Sequence, residues 1–208
     1  MAPSLIDDVV SRTDATVQMC AKAFETITAT LRPGLPSPPD IDLPNSKGGV
    51  FVTWSVLRGR DSHYSLRGCI GTLTPAPVHI AVPRYAAQAA FHDSRFDPIS
   101  ASEVSKLKVG VSVLSQFEAA EHVYDWVVGV HGIVLSLAGG YSATYLPEVC
   151  AEHGWTKEFC VRSLAEKAGF RGAVDQSVLN SATITRYQSS KIELTFSDYM
   201  KLIEDNDF

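Results

Sequence analysis

The sequence predicts an α+β protein with mostly antiparallel sheets, packed helices and two subdomains that share a cleft. Helical and strand patterns are interspersed along the chain, and most neighbouring strand patterns are separated only by short turns. The strand patterns fall into three groups, near residues 50–73, 107–145 and 182–196, and this grouping is the reason for expecting two subdomains.

The chain has 208 residues, 45% of them hydrophobic, which suits one large domain or two lobes with a substantial core. Its net charge of −5 argues against strong nonspecific binding to nucleic acid or to an anionic membrane. We expect a single domain over residues 1–208. Within it, residues 32–49 should form a surface loop, because five of the eleven prolines lie there without any periodic pattern.

The first half of the chain predicts a helix, a strand hairpin and a second helix. Apolar residues recur at helical spacing over residues 8–31. Residues rich in β-branched and aromatic side chains predict strands at 49–57 and 65–73, paired as an antiparallel hairpin. The alanine-rich residues 77–92 predict a helix that either kinks at Pro83 or starts there, since proline is tolerated in the first turn.

The second half of the chain begins with a strand at residues 106–115, where apolar and polar side chains alternate. A helix start capped by Ser100, with Glu103 three residues later, is expected before it. The remaining elements are predicted as a strand, turn and strand over 125–140, a strand at 141–147, helices at 147–154 and 156–169, strands at 182–188 and 191–196, and a final helix at 197–206 capped by Ser197.

The four cysteines, Cys20, Cys69, Cys150 and Cys160, form no CxxC pair and have no neighbouring histidine at metal-ligand spacing. We therefore expect neither a metal nor another cofactor. The N-terminal sequence has acidic residues where a signal peptide would have basic ones, and no apolar run is long enough to span a membrane. These features predict a cytoplasmic or nuclear protein with free thiols and no membrane partner.

The stretch SLRGCIGTL places Cys69 between two glycines, with Arg67 two residues before it. Residues i and i+2 of a strand leave the same face about 7 Å apart, so the Arg67 guanidinium should stabilise a Cys69 thiolate if the two groups approach. Gly68 and Gly71 would let another backbone or a ligand come close. A small buried cysteine in an ordinary strand explains the same pattern.

A nucleophilic cysteine also needs a base, and His131 is the candidate because GVHGI places it in a glycine-flanked turn. Those glycines could equally serve the turn alone. Asp93 and Arg95 lie at a predicted helix end, where they either satisfy local backbone groups or face a cleft. Glu148 falls in the first turn of a predicted helix, where its charge also favours the helix dipole.

Several common catalytic motifs are missing from the sequence. It contains no GxGxxG after a strand, no GxxxxGK[ST], no HExxH and no GxSxG. Nucleotide hydrolysis by a P-loop, dinucleotide redox chemistry and zinc proteolysis therefore lose their usual sequence support.

Eight short motifs together resemble the AMMECR family, named after the chromosomal region deleted in a syndrome of Alport nephropathy, intellectual disability, midface hypoplasia and elliptocytosis. The resemblance covers about residues 24–199. In chain order the motifs are FVTW (51–54), LRGCIGTL (66–73), DSRFDP (93–98), SVLSQFE (112–118), DWVVGVHGI (125–133), ATYLPEV (143–149), EHGW (152–155) and ITRYQS (184–189).

The resemblance implies an α+β fold of two subdomains with a cleft, in a family without an established activity. Related microbial domains are fused to, or encoded beside, a Memo-type domain and a radical SAM protein, a context that implies enzymatic or modification chemistry. The family signature LRGCIG nominates as site residues Leu66, Arg67, Gly68, Cys69, Ile70 and Gly71.

Three functions stay open from the sequence. The chain is a thiol-dependent enzyme or modification factor that uses Cys69 with Arg67 and His131, or it is a noncatalytic regulatory or scaffold module. The module would bind a protein, an RNA or a small ligand in the same cleft, with Asp93, Arg95 and Glu148 among its contacts. In the third alternative the signature is structural and holds the two subdomains together.

Overall fold

The computed structural model describes residues 13–36, 41–59 and 63–205. These residues form two compact units, a larger one of residues 13–113 and 190–205 and a smaller one of residues 114–189. The secondary-structure elements are, in chain order, α1 (Val17–Leu31), β1 (Lys47–Arg58), β2 (His63–Pro77), α2 (Val78–Phe91), a 3-10 turn (Val104–Lys106), β3 (Leu107–Ala119), β4 (Gly132–Ser136), β5 (Ser142–Tyr145), α3 (Pro147–Glu152), α4 (Lys157–Lys167), α5 (Gln176–Ser181), β6 (Thr183–Thr195) and α6 (Phe196–Asp205).

In the larger unit the strand order is β2-β1-β3, with β6 next to β3, and α2 packs on β1 and β2. Phe24 on α1 lies in the core, with its ring centroid 5.2 Å from that of Trp54 and 5.1 Å from that of Tyr199. The Trp54 indole N–H donates to the carbonyl oxygen of Ala86 at 3.0 Å, so the buried ring keeps its polar atom paired. Burial of each large apolar side chain stabilises the unit by about 1.5–3 kcal/mol.

In the smaller unit the strand order is β6-β4-β5, and both strand pairs are antiparallel. Its separate core includes the buried side chains of Trp126, Leu135 and Leu164. Antiparallel pairing in this unit, and between β1 and β2 in the other, confirms the predicted α+β class.

A disulfide joins Cys150 of α3 to Cys160 of α4, whose Cα atoms are 6.3 Å apart. The expectation of four free thiols is therefore wrong for this pair, because helix packing in the smaller unit brings together two cysteines ten residues apart. Cys20 and Cys69 are free thiols. Among the described residues, no helix is long and apolar enough to cross a membrane.

The first predicted helix starts later than its periodic pattern. Residues 8–12 lie outside the described residues, and residues 13–16 are not helical. The Ala15 N–H donates to the Ser190 hydroxyl at 3.0 Å, and Thr16 has extended backbone angles, so the helix begins at Val17. The apolar pattern begins before the helix does, because apolar spacing alone does not mark the residue at which a helix starts.

The second predicted helix, α2, passes through Pro83 and begins five residues before it, at Val78. A start at Pro83 is therefore wrong. Proline in a helix interior removes one backbone hydrogen bond. The helix nevertheless continues, because it is held by buried side chains on both sides of Pro83, among them Val78, Val82 and Ala86.

Two further predictions in the larger unit are only partly correct. Ser100 and Glu103 do pair, since the Ser100 N–H and hydroxyl both donate to Glu103 Oε2, but only a 3-10 turn follows. In the predicted surface loop, residues 37–40 lie outside the described residues, while Ile41 and Leu43 are buried. Strand β1 already begins at Lys47.

In the smaller unit the predicted strand over residues 125–130 is a series of turns, and β4 begins only at Gly132. Val127 and Val130 are about half exposed, so these two valines do not form the buried face of a strand. The short helix α5 was not predicted; it is capped by Asp175, whose carboxylate accepts the N–H groups of Ser177 and Val178.

The end of the chain also differs from its predicted pattern. The two strands expected at 182–188 and 191–196 are one continuous strand, β6. Helix α6 begins at Phe196, and its cap is Thr195, whose hydroxyl accepts the Asp198 N–H at 3.2 Å. Ser197, the predicted cap, is already inside the helix.

Candidate functional site

The signature strand contains a β-bulge at Arg67. Trp54 on β1 pairs with Gly68, and Ser55 pairs with Leu66, so Arg67 has no partner on the neighbouring strand. A bulge disrupts the regular alternation of side chains between the two faces of a sheet. The expectation that Arg67 and Cys69 share a face assumed an unbroken strand, and the bulge removes that basis.

Arg67 is buried, and all three nitrogens of its guanidinium are used. Nε donates to Glu103 Oε1 at 2.8 Å and Nη2 to Glu103 Oε2 at 3.3 Å. Nη1 donates to the Asp97 carbonyl oxygen at 2.6 Å and Nη2 to that of Pro98 at 3.3 Å. The hydrogen bond from Arg67 lowers the pKa of Glu103 to about 2. Arg67 therefore fastens the segment after α2 to β2, and none of these bonds goes to the sulfur of Cys69.

The backbone of Cys69 is held on both sides by the segment that follows α2. Its N–H donates to Asp93 Oδ2 at 2.8 Å, and its carbonyl oxygen accepts Arg95 Nη2 at 3.1 Å. Strand β2 is the outermost strand in the larger unit, so these backbone groups have no strand partner on that side. The two side chains satisfy the open edge, a role normally filled by a neighbouring strand or a covering loop.

Asp93 and Arg95 form a two-point ion pair, with Nη2 donating to Oδ2 at 2.7 Å and Nε to Oδ1 at 2.9 Å. The bonds from Arg95, followed by those from the Cys69 and Arg95 N–H groups, hold the pKa of Asp93 well below its usual range. The same ion pair raises the pKa of Arg95. Through its hydrogen bond to the carbonyl oxygen, Arg95 is the cation that contacts Cys69.

The sulfur of Cys69 has a hydroxyl neighbour on the adjacent strand. Thr53 lies directly opposite Cys69 in the β1–β2 register, and its hydroxyl donates to Cys69 Sγ at 3.1 Å. Cys69 as a residue is half-buried. A hydrogen bond to sulfur favours the charged form of a thiol.

Most of the other signature residues pack against the protein itself. A Cβ on Gly68 would overlap the Ala89 carbonyl oxygen of α2, and one on Gly71 would overlap that of Val50 on β1. The close approach expected at these glycines is thus made by the protein's own backbone. Ile70 packs against the core of the larger unit, and Leu66 is 43% exposed.

His131 and Glu148 belong to the smaller unit. The Val127 N–H donates to His131 Nδ1 at 3.0 Å, so that nitrogen serves the turn and, in the neutral ring, the proton is on Nε2. Burial, and then the charge of Arg186, lower the pKa of His131. Glu148 lies in the first turn of α3, as the sequence predicts.

An open cavity of about 440 Å³ adjoins the Cys69 segment in the larger unit. We call it the arginine basin; it is lined by Arg58, Arg67, Ser94, Arg95, Phe96, Asp97 and Glu103. Arg95 connects the basin to Cys69 because it lines the cavity and also donates to the Cys69 carbonyl oxygen. No cluster of three or more His, Cys, Asp or Glu side chains that could hold a metal ion occurs within residues 13–36, 41–59 and 63–205.

The sequence alone does not identify two residues of this site, Thr53 and Glu103, as part of it. Thr53 becomes visible only through the hairpin register, which the bulge shifts by one residue. The sequence predicts only a capping role for Glu103, because its pairing with Arg67 joins residues 36 positions apart. The sequence does nominate Asp93 and Arg95, but no local pattern indicates that they hold the backbone of Cys69.

The chain is an α+β protein, as the motifs predict, and the structure places the LRGCIG signature on β2, the outermost strand of the larger unit. The model of the AMMECR1 family matches residues 17–192, and the chain belongs to this family. It is 37% identical over 193 residues to an uncharacterized protein of Arabidopsis thaliana, covering 90% of this chain and 88% of the relative. An uncharacterized protein of Schizosaccharomyces pombe is 35% identical over 195 residues, covering 90% and 96% of the two chains.

The fold is also similar to a solved structure. The crystal structure of an uncharacterized protein from Pyrococcus horikoshii matches with a TM-score of 0.68 and 30% sequence identity, covering 84% of this chain and 89% of that one. These relatives bear no functional description, so family membership leaves the activity to be argued from the site.

Proposed function

We propose that the chain is a thiol-dependent enzyme or modification factor in which Cys69 is the nucleophile. The observation that carries this proposal is the 3.1 Å hydrogen bond from the Thr53 hydroxyl to the sulfur of a half-buried cysteine. A thiolate is the reactive form of cysteine, and a fixed donor beside the sulfur favours that form.

Arg95 provides the positive charge that such a site needs. It is held by two hydrogen bonds to Asp93, and it contacts the Cys69 carbonyl oxygen, so its position relative to the strand is fixed before any substrate binds. The Arg95 side chain is 55% exposed and its charge is paired with Asp93, so solvent and that carboxylate weaken its effect on developing negative charge. In this proposal Arg67 is a positioning residue that holds residues 97–103 against β2.

The other cysteines are poorly suited to this role. Burial raises the pKa of Cys20 to about 12, and its thiol donates to the Ile192 carbonyl oxygen at 3.6 Å. Cys150 and Cys160 are joined in a disulfide. Cys69 is therefore the one thiol of the chain that is both free and partly exposed.

No side chain is assigned as the general base for the Cys69 thiol in this proposal. Asp93 stays ionised because its pKa is held well below its usual range, and both of its oxygens already accept hydrogen bonds. His131 would have to use Nδ1, which already accepts the Val127 N–H. The thiol proton is therefore lost to solvent before the attack, and the resulting thiolate, which accepts the Thr53 hydrogen bond, attacks an electrophilic carbon.

The proposal is tested by the rate at which iodoacetamide alkylates Cys69 in the folded protein, measured by mass spectrometry of the Cys69 peptide. Thr53→Val should slow the reaction about tenfold, the effect of losing one hydrogen bond to a charged group. Arg95→Gln should also slow it. Thr183→Val, at an exposed strand position of the smaller unit, is the matched control and should react as the wild type does.

Two results would contradict the proposal. One is an alkylation rate that Thr53→Val leaves unchanged, because the hydroxyl would then contribute nothing to the reactivity of the thiol. The other is a Cys69→Ala chain that keeps every binding or cellular function of the wild type, which would favour the noncatalytic module.

A further inference from the structure

The arginine basin brings three arginines to one cavity, and two of them are paired with carboxylates. Arg58, Arg67 and Arg95 all line this one cavity. Arginine is the side chain best suited to hold carboxylate and phosphate groups, because its planar donors match two oxygens at once. The guanidinium donors that stay unpaired make the basin a candidate oxyanion site in the larger unit.

The hydrogen bonds around the basin show which of its charges are already neutralised. Arg67 and Glu103, which both line it, pair with each other. Arg95 uses Nε and Nη2 on Asp93 and on the Cys69 carbonyl, while its Nη1 donates to no residue that the structure describes. Arg58 is exposed and forms no ion pair with a described residue.

The remaining basin groups define the orientation of a ligand. The Arg95 guanidinium lies 5.5 Å from the centroid of the Phe96 ring, a contact that steadies it from the apolar side. Asp97 adds a carboxylate to the lining, and it would repel an anion placed near it. A bound oxyanion is thus expected between Arg58 and Arg95 and away from Asp97.

We propose that the arginine basin binds the phosphate or carboxylate group of the substrate that reacts at Cys69. That the bound molecule is a substrate rests on the proposed function of Cys69. That it carries an oxyanion rests on the basin alone. Arg95 couples the two parts, since one guanidinium lines the basin and also contacts the carbonyl of the reacting residue.

The test uses the full chain, labelled with nitrogen-15, and follows backbone amide signals during titration with inorganic phosphate and separately with acetate, at constant ionic strength set by sodium chloride. We expect saturable shifts at residues 94–97 with at least one of the two anions. Stronger binding of phosphate identifies a phosphoryl group, and stronger binding of acetate identifies a carboxylate.

Arg58→Gln should weaken this binding about fivefold, the effect of one charge interaction at contact distance in water. Arg84→Gln, at an exposed position on α2, is the matched control and should bind as the wild type does. Asp97→Asn should strengthen binding, because it removes the repelling carboxylate. Shifts no larger than those with chloride, or an Arg58→Gln chain with wild-type affinity, would overturn the oxyanion site.

The two proposals fail in different ways. Binding is detected at the amides and not at the sulfur, so a Cys69 that fails to react with iodoacetamide removes the thiol function and leaves the oxyanion site standing. If Cys69 reacts but the chain binds neither anion, the oxyanion site is removed and the thiol function stands.

Discussion

Removal of the Arg67 side chain tests the structural half of the account. In Arg67→Met an unbranched side chain replaces the guanidinium, and four hydrogen bonds are lost, two to Glu103 and one each to the carbonyl oxygens of Asp97 and Pro98. Loss of one partner from a buried ion pair costs about 3–5 kcal/mol. Glu103 keeps 27% exposure of its side chain and its bonds from Ser100, so the lower end of that range, about 3 kcal/mol, is expected.

The assay is urea unfolding followed by circular dichroism, together with the melting temperature. A loss of this size should lower the melting temperature by roughly 6–12 °C for a chain of this length. Arg84→Met removes an exposed arginine from α2 and is the control, with an expected change within about 0.5 kcal/mol. The reasoning is refuted if Arg67→Met is no less stable than Arg84→Met, because the buried pair would then contribute nothing net to the fold.

Three further predictions concern single positions. Gly68→Ala should destabilise the chain by about 1–3 kcal/mol in urea unfolding, because its Cβ would overlap the Ala89 carbonyl oxygen, whereas Gly34→Ala, with open space around it, should be nearly neutral. Thr195→Ala should cost about 1 kcal/mol as the cap of α6, and Ser197→Ala should cost less; equal losses would contradict the cap. Glu103 has a folded pKa of about 2, below its ordinary 4.5, so its contribution is complete above pH 4.5 and disappears as the pH falls through 2. The stability difference between wild type and Glu103→Gln should therefore shrink over that range in acid unfolding curves, and a constant difference would contradict the ion pair.

The sequence was sufficient for the hairpin that carries the signature, because β-branched and aromatic residues on both strands agree with the sheet that forms. It was not sufficient for the bulge at Arg67, since a bulge depends on how two strands pair and not on the alternation within one of them. For this reason the sequence points to Arg67, two residues away, as the cation next to Cys69, whereas in the structure Arg95, 26 residues away, contacts the Cys69 carbonyl oxygen.

Long-range pairing also explains the errors elsewhere. Val127, Val128 and Val130 have strong strand propensity, and yet their segment forms turns, since tertiary context overrides local preference. The disulfide between Cys150 and Cys160 depends on the packing of α3 against α4, which no spacing rule revealed. The local prediction that Glu148 lies in the first turn of a helix agrees with α3.

The central claim is that the fold makes Cys69 a reactive thiol, and one rate ratio tests it directly. The rate constant for alkylation of Cys69 by iodoacetamide at pH 7 is measured in the native chain and again in the chain unfolded in urea, with the Cys69 peptide quantified by mass spectrometry. The Thr53 hydroxyl donates to the sulfur only in the folded state, so the native rate should be at least about tenfold higher. A native rate equal to or lower than the unfolded rate would contradict the account.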